Sequence, residues 1–302
     1  MILTVTVIFR TDIGQYYHTN LISKSMQSVV KLELKYINEK GEESGGHGTG
    51  FYISENQILT NYHVVQYAVE KGSKINVINS NGLEFEGTVG HFSKVSDLAV
   101  VDIPKNQKPG IPLKFCRNVD DLPLGTRVNT LGHPLGFDFM ASEGIISRNV
   151  FRSSGSYPYY IVTDNKVYQG NSGGPMILQN GCAAGVSAML YNKEGQIYSL
   201  SISAGYIESI YDRMLNGTLD FPLLGINMDE DLTIKAVSLV SELYKSGILA
   251  GDRIVEINNI KVTKRNFFDK LLNIRKGDIY NLSVMRNQEK LIFSLKSENR
   301  IK

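Results

Sequence analysis

The stretch Gly170-Asn171-Ser172-Gly173-Gly174-Pro175 carries the strongest signal in this sequence. Its glycines allow a tight turn and a close approach of the backbone to a bound molecule. A serine on such a turn can present its hydroxyl as a nucleophile, and nearby N–H groups can hold the oxyanion of a tetrahedral intermediate. Because a serine hydroxyl is a weak nucleophile at neutral pH, this interpretation requires a base and a group that orients the base.

Candidates for both groups lie upstream of the serine. The base candidate is His63, in Thr60-Asn61-Tyr62-His63-Val64-Val65, and the orienting carboxylate candidate is Asp97, in Asp97-Leu98-Ala99-Val100. The chain order His, Asp, Ser is typical of chymotrypsin-type enzymes and differs from the order in α/β-hydrolases and subtilisins. An isolated Gly-x-Ser-Gly is usually structural, but three suitable contexts in this order favour a catalytic triad of His63, Asp97 and Ser172.

Length and composition indicate an ordinary globular protein of about two domains. The chain has 302 residues, of which 42% are hydrophobic and 21% charged, and its net charge is +2. Because this balance provides no strongly basic face, no nucleic-acid partner is expected. Cysteine is limited to Cys116 and Cys182. One disulfide is an alternative, but we predict two free thiols because the spacing gives no support for pairing.

The histidines outside the candidate triad indicate no further chemistry. The sequence has no Cys/His cluster with metal-ligand spacing, so we expect neither a metal nor another cofactor. His91 and His133 are predicted to be structural or solvent-facing, and His18 and His47 lie in sequence typical of loops.

Short segments rich in β-branched and aromatic residues alternate with turn signals through the first two thirds of the chain. Val29–Tyr36 and the apolar run Leu98–Ile103 predict strands, and Ile207–Leu215 predicts a helix. Ile58–Asn61 is expected to end in a helical turn that bears His63. Turns are predicted at Asn38–Gly46, Asn79–Gly82, Asn106–Gly110 and Asn192–Gly195. Periodicity alone leaves an all-β barrel and a sandwich as alternatives.

Residues 1–25 form an N-terminal segment without a strong pattern. Met1–Phe9 is apolar but too short to span a bilayer, and it lacks a preceding basic region and a clear cleavage site. It is predicted to be either a strand of the mature protein or a degenerate leader. Phe9, Tyr16 and Tyr17 give a weak signal for an oligomer interface.

The triad motifs resemble those of the HtrA (Deg) family of trypsin-like serine proteases. Further matches are Gly48-Thr49-Gly50-Phe51, Leu131-Gly132-His133-Pro134-Leu135-Gly136, Glu143-Gly144-Ile145-Ile146-Ser147 and Thr163-Asp164. The resemblance extends over residues 26–298. It implies a mostly β chain in which residues 26–215 form a chymotrypsin-like double β-barrel, with the triad in the cleft between two six-stranded barrels.

The resemblance also implies an activity and partners. It implies a serine endopeptidase that degrades misfolded or unfolded polypeptides in protein quality control. The N–H groups of Gly170, Asn171 and Ser172 would then donate to the oxyanion. The chain would assemble into a homo-oligomer, a trimer formed through its N-terminal segment. The expected location is the periplasm or another extracytoplasmic compartment.

The chain departs from the family pattern next to the serine. Tyr168-Gln169 stands where the family usually carries Asn-Pro, so the ordering of this loop is open. Ser199–Ser203 replaces the usual Gly-Phe-Ala-Ile-Pro on a strand that lines the substrate pocket. With Leu200 and Val167 in that pocket, small or medium apolar P1 residues are favoured. Lys166 is expected to face solvent, with an acidic P1 preference as the alternative.

After a linker at residues 216–220, residues 221–298 resemble a PDZ domain, which is a small α+β domain. Leu223-Leu224-Gly225-Ile226 is similar to its carboxylate-binding loop, and Leu243–Ile254 is similar to a second signature element. A strand at Val255–Ile257, a turn at Asn258-Asn259 and a groove helix at Asn266–Arg275 follow. PDZ grooves bind peptide C-termini, so the resemblance implies that the N–H groups of Leu224, Gly225 and Ile226 hold the carboxylate. Another small α+β domain is the alternative.

Two other functions remain open from the sequence. One is a chaperone-like or scaffold protein that binds misfolded chains and whose protease activity is latent. The retention of His63, Asp97 and Ser172 argues against a pure binding module. The other is a processing protease with a narrow substrate range, against which the PDZ-like region argues.

Overall fold

The computed structural model describes residues 2–37, 41–105, 110–151, 158–229, 231–264, 266–297 and 300–301. The protein divides into two compact units. The first unit comprises Met1–Phe151 with Tyr160–Glu208, and the second comprises Arg152–Tyr159 with Ser209–Lys302. The division falls inside a helix that spans Ala204–Leu215, whereas the sequence places the linker at 216–220. The predicted domain boundaries therefore stay a prediction.

The first six strands of the first unit close into a barrel in the order β1-β2-β3-β6-β5-β4. They are β1 (Val29–Ile37), β2 (Glu43–Ser54), β3 (Gln57–Thr60), β4 (Ile75–Asn79), β5 (Glu84–Ser93) and β6 (Leu98–Asp102). In β1 the alternate residues Val30, Leu32 and Leu34 are buried in the barrel core, as period-2 alternation predicts. The strands predicted at Val29–Tyr36 and Leu98–Ile103 are confirmed.

The next six strands close a second barrel in the order β10-β11-β12-β9-β8-β7. They are β7 (Arg127–Gly132), β8 (Met140–Phe151), β9 (Tyr160–Thr163), β10 (Pro175–Leu178), β11 (Ala183–Lys193) and β12 (Gln196–Ser203). Val29 of β1, Leu131 of β7 and Ile177 of β10 form one buried cluster, so the two barrels share apolar packing. The predicted chymotrypsin-like double barrel is confirmed.

The α-helices that accompany the barrels in the described residues are α1 (Ile2–Met26), α2 (Tyr62–Lys71) and α3 (Ala204–Leu215). The prediction of a strand at Met1–Phe9 is wrong, because α1 covers nearly all of that stretch. Its C-terminal turns present Ile22 and Met26, four residues apart, to the cluster between the barrels, and this spacing suits a helix. No helix in the described part of the chain is long and apolar enough to cross a membrane.

Cys116 and Cys182 form a disulfide, with their Cα atoms 5.1 Å apart. The prediction of two free thiols is therefore wrong. The pairing arises because Phe115 bridges Ala183 and the Cys116 N–H donates to the Ala183 carbonyl at 2.9 Å. These contacts join segments that are 66 residues apart, and neither segment carries a local sequence signal for the other.

The second unit contains short strands and two short helices. They are β13 (Phe221–Pro222), β14 (Ile226–Met228), β15 (Ile234–Val237), α4 (Glu242–Lys245), β16 (Arg253–Ile257), β17 (Ile260–Lys261), α5 (Phe267–Leu272), β18 (Ile279–Arg286), β19 (Glu289–Lys296) and β20 (Arg300–Ile301). The four strands β17-β16-β18-β19 form one sheet. Asn258 and Asn259 both have positive φ and link β16 to β17, as expected for a type I′ hairpin.

Some predicted boundaries differ from the structure. The turn predicted at Asn38–Gly46 is partly wrong, because β2 already begins at Glu43 and its ladder pairs Gly46 with Leu34. A side chain at Gly45 would lie 2.5 Å from the Leu34 carbonyl oxygen, so glycine suits this close strand pair. Residues 38–40 and 106–109 of the predicted turns lie outside the described residues. The predicted groove helix Asn266–Arg275 is shorter, Phe267–Leu272.

Candidate active site

His63 is the second residue of α2, and its position is set by the packing of that helix on the first barrel. Val65 and Ala68, three residues apart, are buried in the barrel core, which leaves His63 on the exposed side. Asn61, which precedes the helix, donates its side-chain N–H to the Asp97 backbone oxygen at 2.8 Å. This bond ties the start of α2 to the segment that carries the candidate carboxylate.

Asp97 orients the His63 imidazole. Its carboxylate oxygens lie 2.9 and 3.0 Å from His63 Nδ1, and one of them also accepts the His63 backbone N–H at 3.0 Å. Asp97 adopts a left-handed backbone with a φ of 51° just before β6, a conformation that Asp tolerates better than most residues. The arrangement leaves His63 Nε2 as the ring nitrogen that is free to exchange a proton with another group.

Ser172 lies on the loop of residues 168–174, which we call the nucleophile loop. Its carbonyl oxygen accepts the Thr49 N–H at 2.9 Å. A Cβ built on Gly48 would lie 2.5 Å from Val64 Cγ1 and 3.3 Å from the Ser172 oxygen. A Cβ on Gly173 would lie 3.1 Å from the Asn61 N atom. The nucleophile loop therefore meets the start of α2, two residues before His63.

The Ser172 hydroxyl donates to the Ala188 carbonyl at 3.3 Å, and no described contact joins it to His63. The structure thus brings His63 and Asp97 into direct contact and places Ser172 beside them with its hydroxyl turned to β11. Such looser geometry is usual for an active site without bound substrate. Rotation about the Ser172 side-chain bond between staggered states would redirect the hydroxyl.

Of the three N–H groups predicted as oxyanion donors, one has an acceptor in the structure. The Asn171 N–H donates to the Tyr168 carbonyl at 3.0 Å, so the prediction for Asn171 is corrected because that donor is already used. Within the described part of the chain, the N–H groups of Gly170 and Ser172 meet no acceptor. Gly170 has a φ of +102°, a conformation open to glycine.

The predicted pocket residues Val167 and Leu200 are both buried, whereas Lys166 is exposed. Sequence reasoning missed Asn165, which anchors the segment before the nucleophile loop. Its side-chain N–H donates to Thr130 Oγ1 at 2.7 Å, and its backbone oxygen accepts the Ser199 hydroxyl at 2.8 Å. Hydrogen bonds therefore hold the segment beside Val167 to β7 and β12 of the second barrel.

His133 and His47 lie near Gly170. A Cβ on Gly170 would be 2.2 Å from the His133 carbonyl oxygen and 2.8 Å from His47 Nε2. The expectation that His47 lies in a loop is wrong, because it belongs to β2, and His18 belongs to α1. Burial lowers the pKa of His133 to about 4, although the nearby Asp138 carboxylate opposes that effect. His133 is therefore neutral at pH 7, with Nδ1 accepting the Phe139 N–H at 3.2 Å.

Thr49 is the other residue that sequence reasoning missed. Its hydroxyl donates to the Gly170 carbonyl at 2.6 Å and accepts the His133 N–H at 3.1 Å. The two glycines that flank it in Gly48-Thr49-Gly50 were a signal of close backbone packing, but they did not indicate the partner. Among the described residues, no group of His, Cys, Asp and Glu side chains could hold a metal ion.

In the second unit, Leu224 and Gly225 lie in the loop before β14, and Ile226 is the first residue of that strand. Gly225 has a φ of +66°, and its carbonyl accepts the Ser238 N–H at 2.7 Å. Within the described residues, the N–H groups of Leu224 and Gly225 have no acceptor. The side chain of Leu224 is buried, so the loop is held in place while these backbone donors stay unused.

Sequence comparisons identify relatives over most of the chain. The family of the Trypsin-like peptidase domain matches residues 48–186. The chain is 28% identical to Protease Do-like 1, chloroplastic, of Arabidopsis thaliana over 81% of its own length and 62% of the relative's. It is 28% identical to a probable periplasmic serine endoprotease DegP-like of Halomonas elongata, over 82% and 55%. The chain thus spans about three-fifths of the length of these relatives.

Solved structures share the fold. An HtrA-type protease AlgW with tripeptide superposes with a TM-score of 0.76 at 22% identity, covering 94% of this chain and 97% of that one. The serine endoprotease from Yersinia pestis gives 0.68 at 23% identity, covering 94% and 98%. The double barrel defines a chain of the trypsin-like fold class, with the His63–Asp97 pair and Ser172 close to one another. Within that class, the chain is similar to HtrA-type and DegP-like proteases in fold and, at 28% identity, in sequence.

Proposed function

We propose that this chain is a serine endopeptidase that hydrolyses peptide bonds with Ser172, His63 and Asp97. The observation that carries the proposal is the orientation of His63, whose Nδ1 lies 2.9 Å from the Asp97 carboxylate. A neutral imidazole that donates from Nδ1 has a lone pair on Nε2, which is the state a general base needs. The serine lies on the neighbouring loop with its backbone fixed by Thr49.

The mechanism follows from these positions. Ser172 Oγ attacks the carbonyl carbon of the scissile bond while His63 Nε2 takes the hydroxyl proton. The same proton then passes to the leaving amine, and the acyl-enzyme is hydrolysed by a water that His63 activates. Asp97 holds the imidazole tautomer and stabilises the imidazolium. The N–H groups of Gly170 and Ser172 donate to the oxyanion, while Asn171 is omitted because its N–H donates to Tyr168.

Degradation of casein by the purified protein tests this proposal, with Ser172→Ala as the nucleophile variant. Loss of the serine should lower kcat by about 10⁵-fold or more. Ser28→Ala is the matched control, because the Ser28 hydroxyl is buried and has no partner among the described residues. An organophosphonate that labels Ser172 in the wild type gives a second readout. Cleavage that persists in the Ser172→Ala protein would refute the proposal.

The proposed substrates are misfolded or unfolded polypeptides, and the proposed role is protein quality control. An open chain can place an extended segment across the nucleophile loop, which a folded protein cannot do. The buried apolar Val167 and Leu200 favour small or medium apolar P1 residues. Comparison of native and reduced, carboxymethylated forms of one substrate protein tests this role. Equal cleavage rates for the two forms would contradict it.

The second unit is proposed to be a PDZ domain that binds peptide C-termini. The unused N–H groups of Leu224 and Gly225, together with Ile226 at the start of β14, are suited to a carboxylate. Fluorescence anisotropy tests this binding with one peptide in two forms, one with a free C-terminal carboxylate and one with a C-terminal amide. Gly225→Ala should weaken it, because a Cβ there meets Ser241 Cβ at 2.7 Å. Gly277→Ala is the control, with a similar positive φ and no atom within 4 Å of the Cβ.

A second candidate function is a chaperone-like or scaffold protein whose protease activity is latent. The Ser172 hydroxyl favours it, because it donates to Ala188 instead of contacting His63. Suppression of aggregation by the Ser172→Ala protein, together with no casein cleavage by the wild type, would support this candidate. Rapid cleavage by the wild type without any added ligand would exclude latency.

We further propose that the chain forms a homo-oligomer, a trimer, through its N-terminal segment, in an extracytoplasmic compartment. Several relatives are described as periplasmic. Tyr16 and Tyr17 are each 68% exposed on α1 and contact each other edge to face. Exposed aromatic pairs are frequent in protein interfaces.

A further inference from the structure

Thr49 lies where β2 passes behind the nucleophile loop, and we infer that its hydroxyl positions that loop for oxyanion binding. The inference rests on the proposed endopeptidase function. Thr49 is buried and takes part in four hydrogen bonds, two of which are to the nucleophile loop. It touches no reacting atom, so it is a positioning residue and not a catalytic one.

Two of these bonds hold carbonyl groups on either side of the candidate nucleophile. The Thr49 hydroxyl donates to the Gly170 oxygen at 2.6 Å, and the Thr49 N–H donates to the Ser172 oxygen at 2.9 Å. A peptide group is planar, so fixing a carbonyl also fixes the direction of the following N–H. The peptide between Gly170 and Asn171 is thus held at both ends, by Thr49 and by the Tyr168 carbonyl.

Fixing this peptide group affects the two N–H groups that have no acceptor, those of Gly170 and Ser172. The fixed peptide between Gly170 and Asn171 lies between the N–H of Gly170 and the N–H of Ser172. Rotation of this peptide would change the backbone angles at both of its ends and turn the two donors away from a common point. An oxyanion site works because its donors are aimed before the reaction begins. The Thr49 hydroxyl therefore contributes preorganisation to the site.

The surroundings of Thr49 leave room for a small hydroxyl side chain. A Cβ on Gly132 would lie 2.9 Å from Thr49 Oγ1, and one on Gly174 would lie 3.1 Å from Thr49 Cγ2. The same hydroxyl accepts the His133 N–H at 3.1 Å, so it acts as donor and acceptor at once. Only serine or threonine can do both with a side chain of this size.

Comparison of Thr49→Ser with Thr49→Val tests the inference. Valine keeps the shape and removes the hydroxyl, whereas serine keeps both hydrogen bonds. We expect Thr49→Val to lower kcat by about tenfold or more with little change in KM, since an oxyanion donor acts mainly in the transition state. Affinity for a peptide boronate, whose serine adduct places an oxygen in the oxyanion site, should fall by a similar factor. Thr49→Ser should behave as the wild type.

A stability control separates positioning from a general loss of packing. Thr60→Val removes another buried hydroxyl, which donates at 2.7 Å to the Thr49 backbone oxygen and not to the nucleophile loop. Thr60→Val should lower the melting temperature about as much as Thr49→Val does. Its ratio of boronate affinity to KM should stay near the wild-type ratio. Equal ratios in Thr49→Val and the wild type would overturn the inference.

Amide hydrogen exchange distinguishes failure of the inference from failure of the proposed function. Exchange of residues 168–174 should be faster in Thr49→Val than in the wild type and Thr49→Ser, whether or not the protein cleaves casein. A wild type that neither cleaves nor reacts with an organophosphonate would refute the endopeptidase. Unchanged exchange in Thr49→Val would refute the role of Thr49, even in an active enzyme. If Thr49→Val does not fold, wild-type behaviour of Thr49→Ala in all three readouts would also refute it.

Discussion

His133 makes the stability of the first unit depend on pH. Burial lowers its pKa to about 4 from 6.5, while Asp138 opposes and Lys31 and His47 reinforce this shift. The folded protein resists protonation at this site, so the unfolded chain binds more protons between these values. Stability is therefore complete above pH 6.5 and is lost as pH falls toward 4. Below pH 4, this group lowers the free energy of unfolding by about 3 kcal/mol relative to its value above pH 6.5.

Urea unfolding at pH 7.5, 5.5 and 4.5 measures this dependence. His133→Asn is the matched variant, because its side-chain oxygen can replace Nδ1 as the acceptor of the Phe139 N–H without titrating. We expect the wild type to lose more stability than the variant between pH 7.5 and 4.5. Parallel pH profiles for the two proteins would contradict the assignment to His133.

Asp252 is expected to be a strong determinant of stability in the second unit. Its side chain is 1% exposed, and it accepts from Arg286 Nε at 2.6 Å, from Arg286 Nη2 at 2.7 Å and from the Leu249 N–H at 2.9 Å. Asp252→Ala removes these acceptors and leaves the guanidinium without its carboxylate. The expected cost is about 3 kcal/mol.

Chemical denaturation measures the loss in free energy of unfolding, and hydrogen exchange measures the effect on residues 247–257. The exposed pair between Lys245 and Glu242 provides the control, because removing it through Glu242→Gln should cost about 0.5 kcal/mol or less. Equal effects of Asp252→Ala and Glu242→Gln would show that burial adds nothing to the first pair.

Among the elements, the second barrel is constrained by the disulfide between Cys116 and Cys182, which lies in the β10–β11 turn. It closes a loop with a sequence separation of 66 residues. Loop-closure entropy for that length gives about 4 kcal/mol of stabilisation. Replacing both cysteines by alanine should lower the free energy of unfolding by about that amount, measured in guanidinium chloride.

The double alanine variant also provides a control for reduction. A thiol reductant should destabilise the wild type and leave the variant unchanged. A reductant effect on both proteins would indicate that it acts elsewhere, and no effect of the double substitution would show that backbone pairing at Phe115 and Ala183 is sufficient.

In the molecule as a whole, the features that could be predicted from the sequence are those that short local motifs encode. Strand-length runs such as Val29–Tyr36 predicted an all-β domain, and the resemblance to the HtrA (Deg) family implied the double barrel. The His63–Asp97 pair follows from motifs whose order is diagnostic. The missed features depend on contacts between distant segments. Thr49 meets Gly170 across 121 residues, and Cys116 meets Cys182 across 66 residues. The hydrogen bond from the Asn171 N–H to the Tyr168 carbonyl depends on the orientation of the peptide group, which the identity of the residues does not specify.

The N-terminal helix illustrates the same limit. Ile22 and Met26 pack on the barrels from successive turns of the helix, whereas the local sequence of the first residues is also compatible with a strand. The docked helix leaves Tyr16 and Tyr17 exposed. Their position suggests a use beyond the single chain, as in the proposed trimer.

Substitution of both tyrosines tests that assembly. Tyr16→Ser with Tyr17→Ser should shift the sedimentation coefficient from that of a trimer to that of a monomer at micromolar protein concentrations. The melting temperature extrapolated to low concentration should stay unchanged, because neither ring is buried in the single chain. Leu124→Ser is the control, since that side chain is also 68% exposed but lies far along the sequence from α1. A wild type that sediments as a monomer, or a double variant that stays trimeric, would exclude this surface as the interface.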